Sequence, residues 1–448
     1  MTRIAIIGGG FGALNLAWRL ANLDSKEQLG IDIFEKEAQL GGMAGGFQEK
    51  NWAWTFEKHY HHLFAKDRAF QNFLKSLDLS DKLFYRKTLT STLWQQQIYQ
   101  LDTAWSLLNF TELSFIDRLR TGLVLAFLKI IPNGQFLEKY RASDFLQKTM
   151  GQKSWQIIWQ PLFQAKFADW ADDINLAWFW ARINPRTAKL GYVEGGFQSL
   201  ANLVQQKLAK RGVKINLQCT VKKISPVKST DQQNSRFKLK FISTKDTANK
   251  QPSSTSQTQE FDLIINTLPS PQFSQLIDLP ELKSAHLQGL AAMTMILRLK
   301  DQLLLDNTYW LNVNERDWPF LAVVEHDHFV DQRFYNHEHL VYIGKYLSTS
   351  DPVYQFSAKK LWQSYLPFLR QLNPKIEEIL IDYRVTKEAF AQPLVKTNHS
   401  RNLPSLRTSY PNLYWVSMQH IYPFDRGLNQ AIVSSNRLFE LIKKDLKI

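Results

Sequence analysis

The sequence predicts an α/β fold: a parallel, doubly wound sheet assembled from separated stretches of chain, with an inserted α+β domain. Three observations predict it. The first thirty-five residues read strand, glycine turn, helix, strand, acid. A second glycine cluster, Gly41 to Gly46, follows at once. Late in the chain, apolar runs at Phe261–Leu268 and Leu413–Met418 again read as buried strands.

Ile4-Ala5-Ile6-Ile7 is the first strand, and Gly8-Gly9-Gly10-Phe11-Gly12-Ala13 turns the chain. Leu14, Ala17, Trp18 and Leu20 then repeat with helical spacing. Ile31-Asp32-Ile33-Phe34 is a second strand that ends on Glu35. Each part has a physical job in holding a dinucleotide. Gly8 makes the tight turn and Gly10 lets the backbone approach a pyrophosphate. Phe11 and Gly12 open the helix, and Ala13 is small enough for close helix–sheet packing. The unpaired N–H groups at the helix start favour the negative phosphates. Glu35 suits the ribose hydroxyls and disfavours a 2′-phosphate. The plain alternative is a glycine-rich turn in an unrelated α/β unit; the register of both strands and the acid favours the Rossmann-like reading.

Holding NAD does not need a second glycine cluster so close to the acid. A longer cofactor does, because its diphosphate and flavin pass along a backbone free of side chains. FAD is therefore the expected cofactor. Glu35 through Phe47 resembles the signature of the flavin-containing amine oxidase superfamily, an acid and lysine followed by paired glycines. That group includes protoporphyrinogen oxidase, phytoene-type desaturases and, more distantly, UDP-galactopyranose mutase. The signature often carries Arg after the paired glycines, where this chain has Met43. Leu413–Ile432 is similar to the superfamily's last flavin-binding segment, with Met418 where many members have an acid. Gly195-Gly196-Phe197 and the following helical pattern resemble its middle segment, with Val221 on the strand beyond.

The resemblance implies an FAD-binding domain of glutathione-reductase type. It places Lys36, Gly41, Gly42, Met43, Ala44, Glu57, Lys58, His59, Val221, Met418, Arg426, Gly427, Leu428 and Asn429 at the cofactor, beside the residues of the first turn and Glu35. It also implies two-electron chemistry, with a hydride leaving a C–H or C–N bond for flavin N5.

The 448 residues can form a large core, and 44% hydrophobic content suits a globular protein. Cys219 is the only cysteine, which excludes intramolecular disulfides and cysteine cages for metals. A first strand so near the start reads as leaving no room for a cleaved signal, and a reducing cytoplasm is the simple expectation. The formal charge of +14 fits attraction to anionic lipid, a phosphorylated substrate or a generally basic background. No nucleic-acid motif accompanies it, and nucleic acid is not an expected partner.

Three stretches, 1–69, 190–285 and 389–448, are expected to build the FAD-binding domain. Two insertions, 70–189 and 286–388, are expected to build the substrate domain. The first insertion reads as mainly helical; the second has strand-like runs at Met293–Leu297, Leu321–Val324 and Leu340–Ile343. Ser243–Glu260 is polar and reads as a loose hairpin tip. Residues 118–131, with Leu123–Leu128 nearly all apolar and Arg118, Arg120 and Lys129 alongside, allow two readings. One is a peripheral membrane contact too short to span; the other is a buried helix of the substrate domain.

His59, Tyr60, His61 and His62 follow the glycine cluster. Neutral histidine near pH 7 suits proton transfer coupled to hydride loss, so His59, Tyr60 and His61 are catalytic candidates. Their spacing does not aim three imidazoles one way, and one or two of them can instead be structural. Lys166, in an aromatic run, is a candidate proton handler or anion ligand. Arg182 is a candidate partner for a substrate carboxylate or phosphate. The aromatics around both, Trp159 to Phe167 and Trp178 to Trp180, read either as a pocket wall or as core. His326, His328, His337 and His339 form two H-x-H pairs, but nothing else supports a metal, and none is expected. The sequence thus points to an FAD-dependent oxidoreductase acting on a small, lipophilic molecule. Its rivals are a sugar-nucleotide mutase without net redox and an FAD-binding protein without turnover.

Overall fold

The computed structural model describes residues 1–24, 28–227, 236–244, 255–283 and 287–447. Thr2–Ile7 and Leu29–Phe34 are strands paired in parallel, with Ile4 opposite Ile31. Leu263–Asn266 lies parallel on the other side of Thr2–Ile7, Leu413–Trp415 lies beyond it, and Lys214–Asn216 lies outside Leu29–Phe34. The five strands form one parallel sheet, and parallel neighbours need long crossovers, which is why its strands come from all parts of the chain.

Both faces of this sheet are covered, so its strands are apolar without alternation. Ile4, Ile6 and Ile33 pack with Leu14, Ala17, Leu200 and Leu438 of three helices, Phe11–Ala21, Phe197–Lys210 and Leu428–Leu446. Ala5, Ile7 and Ile264 face an antiparallel meander through Val221, Leu239 and Phe261. The meander consists of Cys219–Val227, Arg236–Ser243 and Thr255–Phe261. Its last strand corrects the reading of Ser243–Glu260 as a loose tip. Residues 245–254 of that stretch lie outside the described residues, but Thr255–Phe261 pairs in register with Phe237–Ser243. The strand is polar because its side chains are largely exposed at a sheet edge, where backbone pairing alone decides the conformation.

A seven-stranded mixed sheet forms the second layer. Its order is Leu380–Pro393, Gly289–Leu299, His339–Leu347, Ala322–Glu325, Thr308–Val313, Leu89–Trp94 and Gln97–Gln100. Leu89–Trp94 lies parallel to Thr308–Val313, with Ser91 opposite Leu311. The segment expected to be mainly helical therefore carries strands after its first helix, Arg68–Ser76. Leu89-Thr-Ser-Thr-Leu-Trp has the composition of a strand, but its partner lies more than two hundred residues away. Leu380–Pro393 runs unbroken through the boundary expected at 388/389.

A helical layer, including Phe115–Ile130, Ala142–Met150, Gln160–Phe167 and Leu176–Ile183, completes this half. Its centre is aromatic. The rings of Phe163 and Trp178 lie 5.2 Å apart and those of Phe167 and Trp178 4.7 Å apart, in edge-on contact. Phe163, Phe167 and Trp178–Trp180 are buried, so most of the aromatic run is core and not pocket wall. Phe115–Ile130 is not the buried helix that one reading allowed: only Thr121 and Leu128 are buried. Among the described residues, no helix is long and apolar enough to cross a membrane.

Candidate cofactor cleft and active site

Strands Thr2–Ile7, Leu29–Phe34, Leu263–Asn266 and Leu413–Trp415 all end at one edge, and a cleft of about 490 Å³ opens there. Ligands of open α/β sheets bind outside the carboxyl ends of the strands. Gly8, with φ +100°, turns the chain away from the first strand; a Cβ there would meet Thr267 Oγ1 at 2.3 Å. The second glycine pair stacks on this turn. The Gly41 N–H donates to the Gly9 carbonyl at 2.9 Å, and a Cβ on Gly42 would come within 2.9 Å of Gly10 Cα. A Cβ on Gly10 would meet nothing closer than 3.9 Å, and one on Gly427 nothing within 4 Å. Both glycines thus present bare backbone, each at the start of a helix, where unpaired N–H groups favour anions.

Gly12 has a different role. A Cβ there would lie 3.4 Å from the Ala431 carbonyl, so Gly12 sets the approach of helices Phe11–Ala21 and Leu428–Leu446. Glu35 is 7% exposed. Its Oε2 accepts from the Gly9 N–H at 2.7 Å and its Oε1 from the Glu37 N–H at 2.9 Å. Burial raises its pKa against these bonds. The acid that closes the second strand therefore also fixes the first glycine turn.

The cleft is lined along its length by Gly8–Ala13, Glu35, Lys36, Gly41–Ala44, Lys58, His59, His61, Val221, Met418 and Arg426–Leu428. Met43 lies where the signature often has a cation, and Lys58 and Arg426 bring positive charge to the same cleft. The structure does not bring two expected cofactor residues there. Glu57 is fully buried; its carboxylate accepts from Tyr192 Oη at 2.7 Å and from the Phe197 N–H at 2.8 Å. Burial pushes that carboxyl up to about 7. Its work is to hold the start of helix Phe197–Lys210. Asn429 turns to helix Arg68–Ser76, where its Oδ1 accepts from the Phe70 N–H at 3.0 Å. Both errors come from side-chain direction, which depends on partners far away in sequence.

At its inner end the cleft meets a small cavity of about 20 Å³, lined by Met43, His59, Tyr60, His61, Thr294, Tyr346 and Arg426 among others. His59 Nδ1 lies 2.8 Å from Thr294 Oγ1, and His61 Nδ1 donates to the His59 carbonyl at 2.7 Å. Burial lowers His59 to about 3 and His61 to about 4, so both are neutral at pH 7. His62 turns the other way, toward Tyr309 and Trp310. Arg426 donates to Tyr346 Oη and, through Nε at 3.1 Å, to Gln392 Oε1.

Next to Arg426, Asp425 accepts from Lys166 Nζ at 2.9 Å. Lys166 is 5% exposed and its ammonium lies 4.9 Å from the Trp178 ring centroid. Burial, outweighing the pull of Asp425, lowers Lys166 to about 7. Burial alone would raise Asp425; Lys166, Arg426 and Arg182 prevail and hold it at about 2. Arg182 feels Asp425, Tyr346 and Tyr60, and burial lowers its pKa. Lys166, Asp425 and Arg182 line neither the cleft nor the small cavity; the aromatic core holds Lys166 behind Tyr346 and Arg426, which do, and the C-terminal loop supplies its counter-ion.

Sequence reasoning missed Thr294, Tyr346 and the partnership of Lys166 with Asp425. Thr294 was visible as the one polar residue in the apolar run Ala291–Leu297. Three of the four histidines of the two H-x-H pairs bond to separate partners, and among the described residues only His339 joins a cluster, with Asp327 and Glu325. His326 meets Tyr335 Oη, His328 the Thr308 carbonyl, and His339 the Asp327 carboxylate.

A family model described as flavin containing amine oxidoreductase matches residues 16–437. No curated protein sequence matches the chain. Among solved structures, a protein from Exiguobacterium sp. 255-15, provisionally described as a protoporphyrinogen oxidase, is similar with a TM-score of 0.72 at 18% identity, covering 100% of this chain and 99% of that one. A reduced UDP-galactopyranose mutase gives 0.70 at 13% identity, over 99% and 96%. Cyclohexylamine oxidase from Brevibacterium oxydans IH-35A gives 0.67 at 12% identity, over the whole of both chains. These likenesses are of fold.

Proposed function

The chain belongs to the flavin containing amine oxidoreductase family, whose members bind FAD, and on that premise we propose that it oxidises a small, lipophilic C–H or C–N donor by removing hydride from its carbon. The observation that carries this reading is the buried Lys166–Asp425 pair, next in the chain to Arg426, which lines the inner end of the cleft. When bound, FAD supplies the two-electron oxidation by accepting hydride at N5.

The chain's own groups do the rest. The bare backbone at Gly8, Gly10 and Gly42, with the start of helix Phe11–Ala21, holds the diphosphate. Glu35 takes the ribose hydroxyls, Val221 bounds the adenine side, and Lys36 and Lys58 add positive charge. Arg426, Gly427 and Leu428 bring a second helix start to the flavin, where its N–H groups favour negative charge. Lys166, poised near neutrality, takes a proton from the donor at Nζ, and Asp425 stabilises the ammonium that results. His59 and His61, held neutral, keep further positive charge away from that lysine. Tyr60 and Tyr346 wall the inner cavity and exclude water, and Arg182 behind them would attract an anionic group on the substrate.

We divide the chain into an FAD-binding domain of 1–69, 190–285 and 389–448 and a substrate domain of 70–189 and 286–388. The sheet that draws strands from both inserted stretches supports this division, with the last boundary falling inside strand Leu380–Pro393. We read the enzyme as cytoplasmic, supported by a single cysteine that is buried.

One observation favours a second reading. Lys166, Arg182 and Arg426 surround the single carboxylate of Asp425. That excess of cations also suits the diphosphate of a sugar nucleotide, with the flavin acting without net redox. Anaerobic titration separates the two. Bleaching of the flavin by lipophilic amines or other hydride donors is the expected result. Turnover of a nucleotide sugar only after dithionite reduction, with no bleaching by any donor, would replace the proposal with the mutase.

A further inference from the structure

We propose that the face formed by helix Phe115–Ile130 and the segments flanking it docks on an anionic lipid surface, with the helix lying flat among the headgroups. This goes beyond the oxidoreductase reading and does not depend on it. Among the described residues, fourteen large apolar side chains are exposed, and ten of them lie between Trp105 and Tyr140. Ile116, Leu119, Leu123, Phe127 and Ile130 recur every three or four residues and make one stripe, and they are 66%, 47%, 62%, 48% and 77% exposed. Trp105, Phe136 and Tyr140, at 72%, 55% and 55%, extend the patch beyond the helix. Scattered exposed apolar residues need no explanation, but a contiguous stripe does.

The helix is pinned from behind. Arg120 Nε donates to the Thr149 carbonyl at 3.0 Å, and Lys129 Nζ donates to the Ile183 carbonyl at 3.1 Å. The stripe therefore faces outward on a fixed support. At sixteen residues the helix is about 24 Å long, too short to span a bilayer and suited to lying in its surface.

Charge selects the occupant. Residues 104–154 carry seven Lys and Arg against four Asp and Glu; Glu138 is turned inward to Ser400 and Tyr422, and with Arg120 and Lys129 tied behind the helix the remaining five cations still exceed the remaining three acids. A second copy of the chain would bring two basic rims, and two chains of +14, face to face. An anionic bilayer complements both the stripe and its rim, and Trp105 and Tyr140 are side chains that favour a membrane–water boundary.

The test is cosedimentation of the full-length, FAD-loaded protein with vesicles. Phosphatidylcholine alone is compared with phosphatidylcholine carrying about one-third phosphatidylglycerol. Binding about tenfold tighter to the anionic vesicles, weakened by high salt, is expected. The combined variant Leu119→Gln, Leu123→Gln, Ile130→Gln should lose that binding and keep its flavin spectrum and melting temperature. The salt and lipid dependence of the unmodified protein stands as a readout that needs no variant. Absence of binding to anionic vesicles, equal binding to both kinds, or a dimer that the combined variant dissociates without vesicle binding would each overturn the proposal.

Discussion

Lys166 Nζ lies 2.9 Å from Asp425 Oδ2, although 259 residues separate the two in sequence. One comes from a helix of the aromatic core and the other from the loop before the last helix. Burial lowers Lys166 to about 7 while Asp425 pulls it upward. Asp425→Asn removes that upward pull. If Nζ accepts the substrate proton, the acidic limb of kcat/KM lies near 7 and moves toward acid by about one pH unit in the variant. A limb left in place would exclude Lys166 as the base. The flavin spectrum of the variant checks that the cleft is intact.

The two glycines of the first turn should fail differently. Gly8→Ala puts a Cβ 2.3 Å from Thr267 Oγ1 at a backbone φ of +100°, so the fold itself should suffer. Gly10→Ala meets only ordinary contact and should fold, but its methyl would enter the cleft where we propose that the diphosphate passes. Loss of FAD affinity of about tenfold or more, with an unchanged apoprotein melting temperature, is expected for Gly10→Ala. Equal melting temperatures for both apo variants would contradict this division of roles.

Glu57 makes stability depend on pH in an unusual direction. Its folded carboxyl is raised to about 7 from 4.5. The folded state therefore binds the proton more tightly than the unfolded chain, and this contribution is full below 4.5 and lost as pH rises through about 7. The buried histidines act oppositely. His59, His61, His62, His326 and His420 are lowered to about 3 or 4, so their contribution is lost as pH falls from 6.5 toward those values. Glu57→Gln mimics the protonated acid, so its melting temperature relative to the unmodified protein should be higher at about pH 8 than at about pH 5. Scanning calorimetry at the two pH values decides it; a difference that is the same at both would remove Glu57 from the account.

Cys219 lines the cofactor cleft, is 4% exposed, and is the only cysteine. A thiol reagent should therefore report on cofactor binding without interference. Labelling of the apoprotein should slow by about tenfold or more when FAD is added, because only the opened, ligand-free cleft reacts. Identical rates with and without FAD would mean that the cofactor does not cover this end of the cleft.

The cofactor half was largely legible because its chemistry is local. The turn from Gly8 to Ala13, the acid at Glu35 and the pair at Gly41 and Gly42 sit within a short stretch, and each is dictated by backbone geometry. The substrate half was less so. Leu89–Trp94 was missed as a strand because its partner, Thr308–Val313, is remote. Glu57 and Asn429 were placed at the cofactor because they flank residues that do line the cleft. Which way each side chain turned was decided by Phe197 and Phe70, and no pattern near either residue reveals that. Lys166 was picked out by its aromatic neighbourhood, but its counter-ion could be found only in three dimensions.

The order of the parallel sheet also governs when this enzyme can first be assembled. Its opening strand pairs early with Leu29–Phe34 but gains its other neighbour only with Leu263–Asn266, the edge strand Leu413–Trp415 comes later still, and the helix start at Gly427 follows that strand. A nascent chain on the ribosome therefore cannot trap its vitamin-derived partner early. Completing the cleft is therefore a late event for the growing chain, and a slow one for a topology so rich in distant pairings.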